Sequence, residues 1–344
     1  MENTALVVCR SFRELRINRT EDAEMSFIKL SLLVLITMNL GCQGIAFDFS
    51  DVNDTFDAVK YNDKVDILWV VDANASMDSD REILSQNIQR LFQQLESKDL
   101  DYNMATITMD MSARSRNEIS GGRFVGNTKV INTSTPNKLA AFKSMFSDVR
   151  MDSDTERAFE AVIRALQPDR LGNENSGFLR EDSLLVINFV SDERDSSTES
   201  VEDLANFLDI ARPNLKTGNR GWVANFVGVI DDSCESRFGL PLKGIKYPQI
   251  ADLSEGTNNS ICQEDLSLAI QNINQRLVTI ITDRKLDRKP DISTIVVKMN
   301  NVIVAQSTDN GWSYIEELNT IRFHGDAIPR STTLVEIDFK PIEL

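Results

Sequence analysis

Two stretches constrain what this chain can fold into more than any other part of it. "VDILWVVD", Val65 to Asp72, and "SLLVINFVSD", Ser183 to Asp192, are nearly unbroken apolar runs, and each is closed by an aspartate. A run of that length without alternation suits a strand buried on both faces, as in a parallel sheet covered by helices on each side. Parallel strands share one carboxyl edge, so both aspartates are delivered to the same end of the sheet.

The segments between and after these runs fit that frame. Ile83, Leu84, Ile88, Leu91, Phe92 and Leu95 recur at helical spacing. "YNMATITMD" reads as a second strand ending at Asp110, and "GGRFVGNTKVIN" as a short strand or hairpin. "DTERAFEAVIRALQP" has a Thr/Asp start and a Pro stop, and predicts a helix. "SVEDLANFLDIARP" predicts a helix, "WVANFVGVI" a strand, and "CQEDLSLAIQNINQRLVTIITD" a long closing helix. Alternating strands and helices over 64–283 predict a doubly wound, mainly parallel α/β sheet. Ligands bind such sheets outside the carboxyl ends of the strands. From 284 to 344 the pattern changes to period-two runs broken by Asn-Asn, Asp-Asn-Gly and Pro. That predicts a small C-terminal all-β module, with Trp312, Tyr314, Ile321 and Phe323 as its core.

With 344 residues, 41% of them hydrophobic, the chain is long enough for one large core and a smaller one. A net charge of −16 argues against a nucleic-acid partner and favours cations or basic surfaces. The single histidine, His324, lies in the β module and leaves most nucleophile–His–acid arrangements without their base.

The amino-terminal region reads as a targeting segment. "MSFIKLSLLVLITMNLGCQG", from Met25, has a lysine, an apolar run too short to span a bilayer, and a Gly-Cys. The "NLGC" ending resembles the lipobox of bacterial lipoproteins, which makes 25–42 a lipoprotein signal peptide and Cys42 the lipidated first residue. A plain cleaved signal with an incidental cysteine is the alternative. Residues 1–24 are charged and do not fit ahead of such a signal; they are expected to be an upstream extension, with Met25 the start. Residues 43–63 read as an acidic tether. Cys234 and Cys262 are expected to pair as a disulfide in an exported protein, rather than to remain two buried thiols.

Carboxylates brought to one sheet edge repel each other by about 3 kcal/mol per pair at ~5 Å and an effective dielectric of ~20. A hard cation between them removes that cost. Oxygen donors from Asp, Asn, Ser and Thr suit Mg²⁺, Mn²⁺ or Ca²⁺. Helix caps at the strand–helix turns are the simpler reading of Asp72 or Ser76 taken singly.

At these residues the sequence resembles the von Willebrand factor A (VWA) family. That family carries a metal-ion-dependent adhesion site (MIDAS) with the pattern D-x-S-x-S, a later threonine and a late aspartate. "DANAS" matches at Asp72 and Ser76, has Asn74 where the pattern has serine, and is followed by Met77. Asp192 in "FVSDERD" matches the late aspartate. The threonine position falls at Thr155 in "DSDTERAFEAV", with Asp152, Ser153 and Asp154 as alternatives on the same loop. Glu193 and Asp195 read as a solvated run at the rim. "GFLREDSLLVINFVSDERDSS", "SIC" and "GWSY…NTIRF…P" are similar to a group of exported bacterial VWA lipoproteins with a cysteine bridge and a small β tail.

The resemblance implies a divalent cation, Mg²⁺ first and Mn²⁺ or Ca²⁺ otherwise, held by Asp72, Asn74, Ser76, Thr155 and Asp192. It implies a protein partner that supplies an acidic residue to the open metal position. The expected location is the bacterial envelope, at the outer membrane through the lipid anchor. A metal-free VWA scaffold is the second expectation. An enzyme is the third and least favoured, because no His or Cys accompanies the cluster.

Overall fold

The computed structural model describes residues 54–55, 59–60, 62–115, 118–119, 121–151, 155–234, 245–263, 265–330 and 333–342. Cys42, the signal segment, most of the tether, and Asp152, Ser153 and Asp154 lie outside the described residues.

In chain order the central domain contains β3 (Lys64–Val71), α1 (Asp78–Ser97), β4 (Asp101–Thr108), β7 (Ile131–Asn132) and α2 (Lys138–Phe146). It continues with α3 (Ala158–Ala165), α4 (Pro168–Leu171), β8 (Leu184–Ser191), α5 (Val201–Ala211) and β9 (Trp222–Gly228). It closes with α6 (Lys246–Leu253), β10 (Asn258–Ser260) and α7 (Ser267–Thr282). The two short strands β1 (Asp54–Thr55) and β2 (Val59–Lys60) precede it, and β5 (Ala113–Ser115) pairs with β6 (Glu118–Ile119) beside it.

The central sheet has the order β10-β9-β8-β3-β4-β7. Five strands are parallel, and β7 adds antiparallel to β4 through Asn103–Asn132 and Met104–Ile131. This is the doubly wound α/β order expected from the sequence, and the chain reverses direction between β3 and β8. Both strands are buried along nearly their whole length because both faces are covered. On one face Ile67, Trp69 and Val71 pack with α1, α2 and α7; on the other Leu68 and Val70 pack with α3, α5 and α6.

Asp66 interrupts the first apolar run near the amino end of β3 and is fully buried. Arg180 clamps it: Nε bonds Oδ1 at 2.8 Å, the Arg180 amide donates to Oδ2 at 2.7 Å, and the guanidinium reaches the carbonyls of Val65 and Asp101. The Ser183 hydroxyl donates to the same carboxylate, and Arg212 lies 3.6 Å away. The "GFLRED" stretch is therefore a staple across β3 and β4. Asn103 holds it from the far side by donating to the carbonyls of Gly177 and Phe178.

The C-terminal module is antiparallel throughout. β11 (Arg284–Lys285), β15 (Thr320–His324) and β14 (Gly311–Ile315) form a three-stranded sheet. β12 (Val296–Met299), β13 (Val302–Val304) and β16 (Leu334–Phe339) belong to a second, five-stranded sheet completed by β1 and β2. Trp312, Ile321 and Phe323 are buried between them as expected, joined by Val297, Val335, Ile337 and Phe339, with Tyr314 packed at the margin.

One finding departs from the sequence reading. β1 and β2 fall within the stretch read as tether, yet both pair antiparallel with β16. Backbone pairing needs no apolar periodicity, so two-residue strands in an acidic segment leave no pattern to read. The Cys234–Cys262 disulfide forms, with Cα atoms 5.5 Å apart and 28 residues of separation. On the chain-entropy model a loop of that size stabilises the fold by roughly 3–4 kcal/mol.

Arg180→Met should destabilise the protein by about 3–5 kcal/mol, because it leaves the Asp66 carboxylate buried without its main partner. Urea unfolding checks this; a loss under about 1 kcal/mol would mean that Arg212 and Ser183 suffice.

Candidate metal centre

β3 and β8 flank the point where the strand order reverses, and the residues just after them are Asp72 and Asp192. Asp72 is held in line by its amide, which donates to Val190 O at 2.9 Å. Its own carboxylate is fully buried. Oδ1 accepts from the Asn74 amide at 2.9 Å, which sets the turn into the loop, and Oδ2 accepts from the Ser191 hydroxyl at 3.0 Å. The loop then forms a short 3₁₀ turn, Ala75–Met77, before α1 begins. Neither Asn74 nor Met77 makes a side-chain cap, so the Asp72–Ser76 pattern is not accounted for by capping this helix. Ser76 Oγ donates to Asp192 Oδ1 at 3.3 Å. Asp192 is 1% exposed.

Ser76 and Asp192 are thus in contact, Asp72 feels the charge of Asp192, and the Asn74 side-chain amide turns to Glu156. Thr155 is exposed, whereas Glu156, the next residue, is 2% exposed and accepts from the Asn74 side-chain amide at 2.5 Å. The reason is local. Residues 155–157 precede the helix as non-helical backbone, pinned by Arg157 N to Met109 O at 2.9 Å and by Ser196 N to Glu156 O at 2.7 Å. Those two bonds direct Glu156 inward and leave Thr155 outside. Glu156 was missed in the sequence because the pattern sought there was a hydroxyl. The available signal was its place immediately before α3, which points its amino end at the cluster.

Glu193 is half-buried and joins the group, while Asp195 takes a structural role. The Asp195 carboxylate accepts from the amides of Ala158 at 2.8 Å and Phe159 at 3.4 Å, capping α3 from another loop. Lys246 pairs with it at 3.2 Å and also donates to the carbonyls of Ser197 and Glu199. The run read as solvated is thus split between the cluster and a helix cap.

The electrostatics follow from burial without a directly paired cation, although the charge of Arg81 is felt at Asp72. Among the described residues, no Lys, Arg or His forms an ion pair with Asp72, Glu156 or Asp192. Burial first, and then the charges of Asp192 and Glu193, push the Asp72 carboxyl up to about 7, against the Asn74 amide and Ser191 hydroxyl that hold it down. Burial, a hydrogen bond shared with Glu193 and the charge of Asp72 push Glu156 up to about 9. Burial and Glu193 raise Asp192 as well, against the Ser76 hydroxyl.

In kind, this donor set fits a hard cation: carboxylate, amide and hydroxyl oxygens, with no sulfur or imidazole. In arrangement, the oxygens are bonded to one another. Among the described residues, no three His, Cys, Asp or Glu side chains are grouped so as to hold one ion.

These features define a doubly wound α/β domain with an acidic cluster at the carboxyl edge of its sheet. No family model and no curated protein sequence matches the chain. Among solved structures it is similar to proximal thread matrix protein 1 (PTMP1) from the mussel byssus, with a zinc-occupied MIDAS motif. Identity there is 14% and the TM-score 0.39, over 73% of this chain and 52% of that one. It is also similar to the pilus adhesin SpaC from Lactobacillus rhamnosus GG in an open conformation, at 13% identity and TM-score 0.42, over 83% of this chain and 40% of that one. The chain thus spans about half the length of these structures or less. At these identities and scores the site's chemistry rests on its own residues.

The raised carboxyls set a pH dependence. Asp72 and Glu156 titrate above their ordinary values of 3.8 and 4.5, so the folded protein binds more protons than the unfolded one between about pH 4 and pH 9. Their contribution to stability is complete below that window and is lost as pH rises through it. In EDTA the melting temperature should fall from about pH 5 to pH 9, and Glu156→Gln should flatten the upper half of that fall. An equally steep curve in the variant would refute the assignment.

Proposed function

We propose that this chain is a lipid-anchored envelope protein that binds a protein partner through a divalent cation at the carboxyl edge of its sheet. The observation that carries the reading is the burial of Asp72, Glu156 and Asp192 together at the switch point without a cationic side chain paired to any of them. A divalent ion supplies the missing charge. Asp72, Asn74, Ser76 and Asp192 would hold it, with Glu156 beside Asn74 where the resemblance implies a threonine. Mg²⁺ is the first choice by that resemblance, and Mn²⁺ and Ca²⁺ suit the same oxygens. The partner's acidic residue would complete the ion, which lets an acidic protein bind an acidic group. We read the site as a binding site and not a catalytic one, since the one histidine lies in β15 and Cys234 and Cys262 are bonded to each other.

A second reading has its own support. The cluster oxygens are hydrogen-bonded among themselves, which suits a metal-free scaffold whose carboxyls share protons.

Thermal unfolding in EDTA and in Mg²⁺, Mn²⁺ or Ca²⁺ separates the two. A ligand at about 100 times its dissociation constant stabilises the fold by roughly 2.7 kcal/mol. The shift should appear in the wild type and vanish in Asp72→Ala. No shift with any of the three ions would sink the metal reading and leave the scaffold.

The anchor rests on the sequence ending at Cys42. More than one acyl chain, at ~0.8 kcal/mol per buried CH₂, gives stable attachment where a single chain is marginal. Metabolic labelling with palmitate should mark the protein in bacteria and be lost in Cys42→Ala; an unlabelled wild-type protein would remove the anchor and the outer-membrane location with it.

A further inference from the structure

Arg81 is a fully buried cation in the first turns of α1, one helical turn beyond the loop that carries Asp72, Asn74 and Ser76. Burial pushes its guanidinium below the ordinary arginine value, so something must hold it there. Its partners are specific. Nη1 donates to the carbonyls of Phe146 at 2.9 Å, Ser147 at 3.3 Å and Val149 at 3.1 Å, and Nη2 to Asp78 Oδ1 at 2.6 Å. The three carbonyls belong to the end of α2 and the segment that follows it. That segment leads to Met151, whose sulfur accepts the Ala73 amide at 3.2 Å, and on to Glu156, which meets Asn74.

The Asp72 loop and the start of α1 thus meet the segment 146–151 through several contacts: Ala73 with Met151, Asp78 with Arg150 at 3.3 Å, and the charged claw of Arg81 on three backbone carbonyls. Charge-assisted hydrogen bonds are roughly twice as strong as neutral ones, and an unpaired buried carbonyl is costly. The claw is therefore the strongest of these contacts. Lysine replaces it only in part, because one ammonium can meet the carbonyls bonded by Nη1 but lacks the second arm of the planar fork that bonds Asp78.

We infer that Arg81 is a positioning residue: it holds the segment after α2, and Met151 with it, against the Asp72 loop and so shapes the site. This rests on the metal reading only for its consequence in cation affinity; the holding of the loops stands independently of it.

The test is hydrogen exchange by mass spectrometry on the full protein, wild type against Arg81→Lys, paired with a Mn²⁺ titration read by electron paramagnetic resonance. In the variant, amides in 146–151 should exchange about tenfold faster or more, while α7 and β15 keep their protection. Mn²⁺ affinity should fall by about 10- to 100-fold, the usual cost of losing a supporting partner around a metal. If Arg81→Lys does not fold, Asp78→Ala, which removes the Nη2 bond together with the exposed Arg150 pair, should show the same pattern more weakly. Unchanged exchange in the loop, a rise spread evenly over the protein, or a local rise with wild-type Mn²⁺ affinity would each overturn the inference. A local rise in a protein whose wild type binds no Mn²⁺ would support the holding role and reject the metal reading.

Discussion

The structure turns on how one strand handles two buried carboxylates. β3 is covered on both faces, so any charge on it must be neutralised in place or carry a large desolvation cost. At its amino end Asp66 meets Arg180, Ser183 and the nearby Arg212, and the staple they form locks β3 to β4. At its carboxyl end Asp72 meets an amide, a hydroxyl and two further acids. The same strand therefore has one end neutralised by an arginine and one end where burial raises the carboxyls so that they hold protons.

The cations near that edge are placed behind the carboxylates. Arg81 holds the carbonyls of one flanking loop and Lys246 those of the other, the latter together with the Asp195 cap on α3. Each bonds mainly to backbone, and the charge of Arg81 also reaches Asp72. Tyr247 adds an apolar floor. Its ring packs on Phe159, Phe189 and Phe226, and burial together with the charges of Asp195 and Asp72 drives its phenol well above the ordinary range. The acids are thus backed by a rigid apolar floor and two positively charged clamps.

Much of this could be read from the residues. The two apolar runs gave away central strands because burial on both faces removes alternation, and their terminal aspartates located the site edge before any coordinates. The amphipathic helices α1, α3, α5 and α7 were legible for the converse reason, a single buried stripe. Helices α2 and α6 were not: α6 carries Pro248 inside it, and α2 buries only Phe142, Met145 and Phe146, too few to set a periodic stripe. Asp66 was hidden because a lone acid in an apolar run looks like a strand margin, and its partner Arg180 lies more than a hundred residues away. Glu156 was hidden because the side of the chain on which a residue lands before a helix depends on long-range backbone bonds, here to Met109 and Ser196.

The β module shows how the far end of the domain is closed. α7 ends at Thr282, and within two residues the chain is already paired, Arg284 with Ile321. Arg322 meets the buried Asp283 at 2.8 Å at this junction, and the Lys285 amide donates to Thr217 O at 3.1 Å. The module is thus continuous with the last helix and has no linker. β1 and β2, just ahead of β3, pair with β16 in the same module. Entry into and exit from the α/β domain are therefore tied together at the amino edge of the sheet, where Asp66 and Arg180 also sit. Chain connections, the Asp66–Arg180 ion pair and the β module all gather at one end, and the loops of the opposite end are held by Arg81, Lys246, the Asp195 cap and backbone bonds to Met109 and Ser196. Loops that carry fewer buried contacts than the sheet open locally at lower cost than the rest of the domain.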